Sequence, residues 1–296
     1  QFALPVLAQS ENTQKGHPHL LFDAHNATWM ILDRFAVESK GPKRWFFQIE
    51  ARRMKKFEAE IIASFDRILA VSSIDRTGLI EAAVQEGQSL EAIVDRFTVI
   101  PITVDTNEIL PVRRAAQSLN IFTMGTLHYP PNADGIRWFI NEVFHLVREV
   151  VPAVTLTIVG KNPPADFLAL QEAEPDVFQV PGYVPDLKPW FEQAGVMIVP
   201  VRVGGGMRVR ILEAFAREMP VVTTTVGLEG IDGTSGEHVL VEDDAITFAK
   251  AVIDLLQDEE ARTRIAQNGR KLVEQVYDRQ VVLRKLDRIY PVGKEA

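Results

Sequence analysis

The chain has 296 residues, a length that suits about two domains, and its 46% hydrophobic and 24% charged residues make an ordinary globular balance. A net charge of -8 gives no field that would draw nucleic acid, and the absence of cysteine excludes disulfides, thiolate nucleophiles and cysteine zinc sites. No apolar run reaches the roughly 18 residues of a membrane-spanning helix. Residues 1–7 lack an initiating Met and a basic start and do not read as a secretory signal, so the expected location is cytoplasmic.

Short apolar runs alternate with amphipathic stretches, the pattern of a parallel sheet with helical crossovers. Strands are predicted over residues 20–24, 67–71 and 97–100, with a long charged helix over residues 43–64 between the first two. Pro101, Asp105 and Pro111 then break both periodicities, which suits a linker. A more regular series follows, with strands predicted at 121–125, 154–160, 177–180, 195–200, 220–225 and 238–241. Ile136, Phe139, Ile140, Val143, Phe144, Val147 and Val150 share one helical face between the first two of these strands. A final helix is predicted over residues 259–277.

Six strands with intervening helices make one complete doubly wound domain. The earlier part offers too few strands for a second. The expected division is therefore a partial N-terminal Rossmann-like domain over residues 1–100, a linker over 101–118, a C-terminal domain over 119–276, and a tail over 277–296 that returns to the N-terminal domain. About half of the N-terminal domain is expected to lie outside this chain.

The strongest local signal is Gly204-Gly205-Gly206-Met207-Arg208-Val209-Arg210-Ile211-Leu212-Glu213-Ala214, set between two buried-strand patterns. Three glycines let the backbone approach a ligand closely. The helix that begins just after them presents free N–H groups and a positive dipole end, which favour a diphosphate. Arg208 and Arg210 add fixed charge and forked donors suited to phosphate oxygens. Glu213 lies seven residues beyond Gly206, roughly 10 Å along a helix that rises 1.5 Å per residue. That is about the reach from a diphosphate to the ribose of the same nucleotide, whose vicinal hydroxyls a carboxylate can accept.

This segment resembles the donor motif of family 4 glycosyltransferases with the GT-B fold, in the subgroup written G-G-G-t-r-l-K-i-l-E-A. The likeness runs through residues 20 to 280. Gly125-Thr126-Leu127 with Pro131-Asn132 looks like the family's first donor-domain loop. Ile158-Val159-Gly160-Lys161-Asn162-Pro163 and Val180-Pro181-Gly182-Tyr183-Val184-Pro185-Asp186 look like the loops beside the base. Gly227-Leu228-Glu229-Gly230-Ile231 matches the segment after the Glu helix, and Phe22-Asp23-Ala24-His25-Asn26 and Val71-Ser72-Ser73-Ile74-Asp75-Arg76 fit the N-terminal part. Three departures stand out. Arg210 replaces the family's Lys, Gly205 stands where many relatives carry a sugar-contacting Glu, and Thr126 and Asn132 replace an Arg and a Lys in the first loop. The last change places more of the phosphate load on Arg208 and Arg210.

The resemblance implies an α/β protein of GT-B architecture, with two facing Rossmann-like domains. It implies retaining transfer of a hexose from a nucleoside diphosphate sugar to an acceptor hydroxyl. The catalytic candidates are His25, Arg208 and Arg210. His25 follows an apolar strand, at the sheet end where ligands of open α/β sheets bind. The donor-binding candidates are Gly125, Thr126, Lys161, Tyr183, Val184, Gly204, Gly205, Gly206, Met207, Glu213 and Glu229. His128 is a weaker candidate, since loop histidines are most often simply solvated.

No His, Asp and Glu cluster has metal-ligand spacing, and no metal or other cofactor is expected, because arginines and a helix terminus can stabilise the diphosphate. The expected partners are the nucleotide-sugar donor and a glycan, lipid-linked or small-molecule acceptor, with no nucleic acid. Lys40, Lys43, Arg44, Arg52, Arg53, Lys55 and Lys56 beside Trp45, Phe46 and Phe47 allow peripheral contact with the inner membrane face. The favoured reading of that stretch is a solvated helix whose aromatics face the core. Two other classes remain compatible with the sequence: a nucleotide-sugar epimerase on the same architecture, and a module that binds the donor without turning it over. A serine hydrolase has no support, because no Gly-x-Ser-x-Gly elbow occurs.

Overall fold

The computed structural model describes residues 19–115, 117–287 and 289. The expectations placed on residues 1–7 and on the far end of the tail lie outside the described residues.

The N-terminal part is a parallel sheet of β1 (Leu21–Ala24), β2 (Arg67–Ala70) and β3 (Phe97–Val99), in that order. Between β1 and β2 run two packed helices, α1 (Thr28–Glu38) and α2 (Pro42–Ser64); α3 (Ser73–Gln85) follows β2. Ile62, Ile68, Ala70, Leu79, Ala83 and Phe97 form the core of this part. α1 has no capping side chain of its own. Instead, the buried Glu58 carboxylate on α2 accepts from the Thr28 backbone N–H at 2.7 Å, and Asp75 at the start of α3 accepts from the Ala27 N–H at 2.9 Å. Two carboxylates distant in sequence thus satisfy orphan donors at the helix start. They also fix the short loop that carries His25.

The second part is a six-stranded parallel sheet in the order β6-β5-β4-β7-β8-β9. Its strands are β4 (Asn120–Met124), β5 (Thr155–Val159), β6 (Phe178–Gly182), β7 (Val196–Val199), β8 (Val221–Thr223) and β9 (Leu240–Val241). Helices cover both faces, so the central strands β7 and β8 are buried on both sides, and Val196–Val199 reads as a continuous hydrophobic run, whereas the edge strand β6 alternates buried and exposed residues. Successive residues point to opposite faces. Ile121, Leu156, Ile158, Val196 and Ile198 meet one helical layer, which includes Phe139, Phe144 and Phe248. Phe122, Val159, Met197, Val199 and Val221 meet the other, with Ile211, Leu212, Phe215 and Tyr277.

The predicted amphipathic helix divides into α4 (Pro130–Trp138), a π turn (Phe139–Val143) and α5 (Phe144–Val150). The extra residue of the π turn shifts the buried face, so Val150 ends 54% exposed rather than in the core, while Ile136, Phe139, Val143, Phe144 and Val147 are buried. The remaining described helices of six residues or more are α6 (Ala165–Ala173), α7 (Lys188–Gln193), α8 (Val209–Ala216), α9 (Ala245–Gln257), α10 (Glu259–Leu272) and α11 (Arg279–Leu286).

Residues 101–115 are tied to the C-terminal helices. Val104 bridges Asp278, and the Asp278 carboxylate accepts from the Thr106 hydroxyl at 2.7 Å. Arg270 of α10 reaches beneath both. Its guanidinium donates to the carbonyls of Thr106, Ile109 and Ala216 and to the Glu274 carboxylate.

Trp45 and Phe46 do not face the core, contrary to the favoured reading of that helix. They are 71% and 58% exposed, because α2 turns its Ala51, Glu58, Ala59 and Ile62 face inward instead.

Candidate functional site

The sheet order reverses between β4 and β7, and ligands of doubly wound sheets bind beyond the carboxyl ends of strands at such a point. Gly125 follows β4, and the loop of Gly204, Gly205 and Gly206 follows β7. Between these loops lies a cavity of about 550 Å³. Of the donor-binding and catalytic candidates, Gly125, Thr126, Lys161, Tyr183, Val184, Met207, Arg208, Arg210 and Glu213 line it. Asn132, read from sequence only as a departure in the first loop, also lines it, and so do Tyr129 and Leu187, which no sequence motif singles out.

α8 starts directly after the glycine turn. Arg208 occupies its N-cap position and offers no side-chain cap, so the orphan amides of the first turn are left for another acceptor. Gly204 and Gly206 take φ values of 134° and 78°, which only glycine adopts without strain. The Arg208 guanidinium folds back onto the turn and donates to the Gly205 and Gly206 carbonyls at 2.5 and 2.6 Å. Burial holds its pKa below the ordinary value, against the field of Glu229.

Arg210 is held more tightly. Its Nη2 donates to Asn132 Oδ1 at 2.9 Å, while its Nε is buried with no partner among the described residues. Burial, with the Arg208 charge beside it, pulls its pKa down to about 10. Gly125 makes room for it, since a Cβ there would come within 2.7 Å of Arg210 Nη1. Asn132 therefore positions the cation, in place of contributing the charge that relatives carry near that position.

Glu213 points into the same cavity from the next turn of α8, and burial raises its pKa. Across the cavity the Lys161 ammonium sits 4.6 Å from the centre of the Tyr183 ring, which is 64% exposed. An exposed ring beside a cation offers a flat face for stacking.

The other candidates fall elsewhere. Gly205, Gly206 and Glu229 line a seam of about 10 Å³ against Ile31, Arg34, Ser72 and Asp75. The Glu229 carboxylate is taken up by the Arg34 guanidinium. His25 emerges at the carboxyl end of β1 with its side chain 76% exposed, 3.8 Å from Asp23. Its neighbour Asn26 is the residue that faces Gly206 across the seam. His128 is not among the residues lining the cavity.

A second cleft of about 950 Å³ adjoins the cavity and shares Tyr129 and Pro131 with it. Phe35, Pro42, Phe46 and Phe47 of the N-terminal helices form one wall, with Lys43 and Arg202 among its charged residues. Among the described residues, no group of His, Cys, Asp and Glu is arranged to hold a metal ion. None of the described helices is long and apolar enough to cross a membrane.

Residues 118–258 match the family model described as glycosyl transferases group 1. The likeness is to GT-B glycosyltransferases. A curated relative, the uncharacterized 44.6 kDa protein in the cps region of Klebsiella pneumoniae, is 24% identical over 250 residues, 82% of this chain and 61% of that protein. The capsular polysaccharide biosynthesis glycosyltransferase CapM of Staphylococcus aureus is 29% identical over 128 residues, 43% of this chain and 33% of that protein. The chain thus spans less than two thirds of the length of either relative.

Among solved structures, S. aureus TarM, in a complex that includes UDP and alpha-GlcNAc-glycerol, aligns with a TM-score of 0.69 at 14% identity, over 95% of this chain and 52% of its own. Anabaena HepE, in complex with UDP and glucose, aligns with a TM-score of 0.60 at 14% identity, over 93% and 72%. At these identities the likeness shows the fold, a pair of α/β units of the GT-B kind.

Proposed function

We propose that this chain carries the donor site of a retaining glycosyltransferase, which moves a hexose from a nucleoside diphosphate sugar to an acceptor hydroxyl without a required metal. The observation that carries this reading is the cavity at the β4–β7 switch. There two arginines and an uncapped helix start stand at the beginning of α8 with a carboxylate about one turn further along, a spacing that supports a diphosphate followed by its ribose. Arg210 brings the strongest argument, a buried guanidinium with an unpartnered Nε that an anion would satisfy. The diphosphate sits against Arg210, Arg208 and the first amides of α8; Glu213 takes the ribose hydroxyls; the base stacks near Tyr183 and Lys161. UDP is the first nucleotide to test, because TarM and HepE were solved with it.

In the chemical step the acceptor attacks the face that the diphosphate leaves, through an oxocarbenium-like state. The leaving phosphate oxygen takes the acceptor proton. The protein's contribution is fixed charge aimed at the oxygens on which negative charge grows, and it needs no reorganisation during reaction. His25 lies on the acceptor side and is free to approach the sugar. The acceptor enters through the apolar cleft between α1, α2 and the start of α4.

Calorimetric titration with UDP, GDP and ADP tests the donor site. One nucleotide is expected to bind, and Glu213→Gln is expected to weaken it. Because burial raises the Glu213 pKa, the carboxylate gains a proton above the ordinary carboxylate range as pH falls. Affinity is therefore expected to drop with falling pH over that window in the parent chain and to stay flat in Glu213→Gln. A flat profile in both would remove Glu213 from the ribose site.

The exposed Trp45 and Phe46 beside Lys40, Lys43 and Arg44 support peripheral membrane contact and a lipid-linked acceptor. In flotation with vesicles containing phosphatidylglycerol, the chain is expected to float, and Trp45→Ser/Phe46→Ser is expected to stay at the bottom. Equal flotation on neutral vesicles would rule out the charge-assisted contact.

A further inference from the structure

We propose that Arg34 is a positioning residue of the donor site, holding the glycine turn in its binding shape from across the seam between the two α/β units. The proposal rests on the donor-site reading above and concerns a residue outside the donor motif.

Arg34 lies on α1, in the N-terminal part, yet among the described residues its hydrogen-bond partners belong to the other part, while Asp75 of its own part acts on it through its field. Its Nη1 donates to the Gly204 carbonyl at 2.7 Å, and Nη1 and Nη2 hold the two Glu229 oxygens in a forked pair at 2.5 Å. The pair is largely screened from water, with side-chain exposures of 33% and 12%. The fork is specific to a planar guanidinium.

Three consecutive glycines have many conformations of similar energy, so their sequence does not by itself fix a turn. In this structure each of the three carbonyls is held by an arginine. Arg34 takes that of Gly204, and Arg208 takes those of Gly205 and Gly206. Because the peptide unit is planar and trans, holding a carbonyl sets the next residue's N–H on the opposite side. Arg34 and Arg208 together therefore set the amides of Gly205, Gly206 and Met207.

Electrostatics points the same way. Glu229 acts on Arg208 through its field, so an unpaired Glu229 would repel a diphosphate arriving there. Arg34 neutralises it.

The seam is also shaped for this contact. A Cβ at Gly205 would come within 2.7 Å of Ile31 Cγ1, one turn before Arg34 on α1. The absence of a side chain at 205, where many relatives of the resembled family carry Glu, is what lets α1 come near enough for Arg34 to reach the turn.

The test is UDP affinity by calorimetry together with the thermal unfolding midpoint, for the parent chain, Arg34→Ala, Arg34→Lys, Glu229→Gln and the Arg34→Ala/Glu229→Gln pair. Arg34→Ala is expected to weaken UDP by about ten-fold, the scale of a lost charged hydrogen bond, with Arg34→Lys recovering part of it. The double variant is expected to lose no more than Arg34→Ala alone, because the two residues act as one unit. A lowered midpoint with unchanged affinity would reduce Arg34 to a structural tie and overturn the proposal. Additive losses would also overturn it, because they would place Glu229 on the ligand itself. If Arg34→Ala does not fold, Arg34→Lys and Glu229→Gln decide the matter: weaker binding at an unchanged midpoint upholds it, and unchanged binding overturns it. Failure of the parent chain to bind UDP, GDP or ADP would sink the donor site and this proposal together, whereas parent binding with indifferent variants would sink this proposal alone.

Discussion

Arg210→Met is expected to weaken nucleoside diphosphate binding by roughly 10- to 100-fold, the loss of one or two hydrogen bonds to a charged group. The free protein is expected to be at least as stable as the parent. The two effects have one cause. The guanidinium is buried, sits beside Arg208, and among the described residues its hydrogen-bond partner is the neutral Asn132. Its pKa of about 10 lies well below the ordinary guanidinium range, so at neutral pH folding carries the whole cost of burying the charge. That cost is relieved only as pH rises through 10. Methionine fills similar space without a charge, and replacing buried ions by apolar groups is often neutral or stabilising. An arriving diphosphate repays the cost to Arg210, so affinity in the parent chain should also fall as pH rises through about 10. Calorimetry and thermal unfolding on the same preparation check both halves. A variant that binds normally would remove Arg210 from the site, and one that binds normally but unfolds earlier would make it structural.

Arg270→Met is expected to cost about 3–5 kcal/mol in stability, because it leaves the Thr106, Ile109 and Ala216 carbonyls without their donor in a dry interior. For a domain of this size that is a midpoint lower by roughly 10 °C. Arg270 differs from Arg210 in this respect. Its guanidinium is saturated by three carbonyls and Glu274, so removing it orphans acceptors instead of relieving a buried charge. Chemical denaturation measures the loss directly. A change under about 1 kcal/mol would mean that water takes over the carbonyls and that the linker is not clamped by α10.

Most of the sheet could be read from sequence. Val196–Val199 and Val221–Val222 are buried on both faces and stand as uninterrupted apolar runs, and the structure places strands there. α1 could not be read in the same way. Its start has no Ser, Thr, Asp or Asn cap, and the carboxylate that serves it, Glu58, comes from 30 residues away. The π turn at Phe139–Val143 was equally silent, because one extra residue in a helix leaves the apolar periodicity nearly unchanged.

In the site, the glycine–arginine–glutamate segment is local and declares itself. The Arg34–Glu229 pair spans 195 residues, and neither residue has a neighbour pattern that names the other. Asn132 escaped for a related reason. It stands near a position that carries a cation in relatives of the resembled family, and only the structure shows that it steers the cation already present at 210.

The strand order of the second sheet also bears on how the chain assembles as it is made. β4, β5 and β6 are consecutive in sequence and adjacent in space, so that half can form once residue 182 has left the ribosome. The other edge of β4 must then wait for β7. Until β7 and α8 emerge, Phe122 and Met124 have lost neither their exposure to water nor their attraction for other chains, and the edge offers unpaired backbone beside them. The nascent chain is therefore most prone to misassociation in the interval between residues 182 and 216. The segment that ends the interval is the one that brings the glycine turn and its arginines, so the half-sheet is closed in the same stretch of synthesis that completes the cavity.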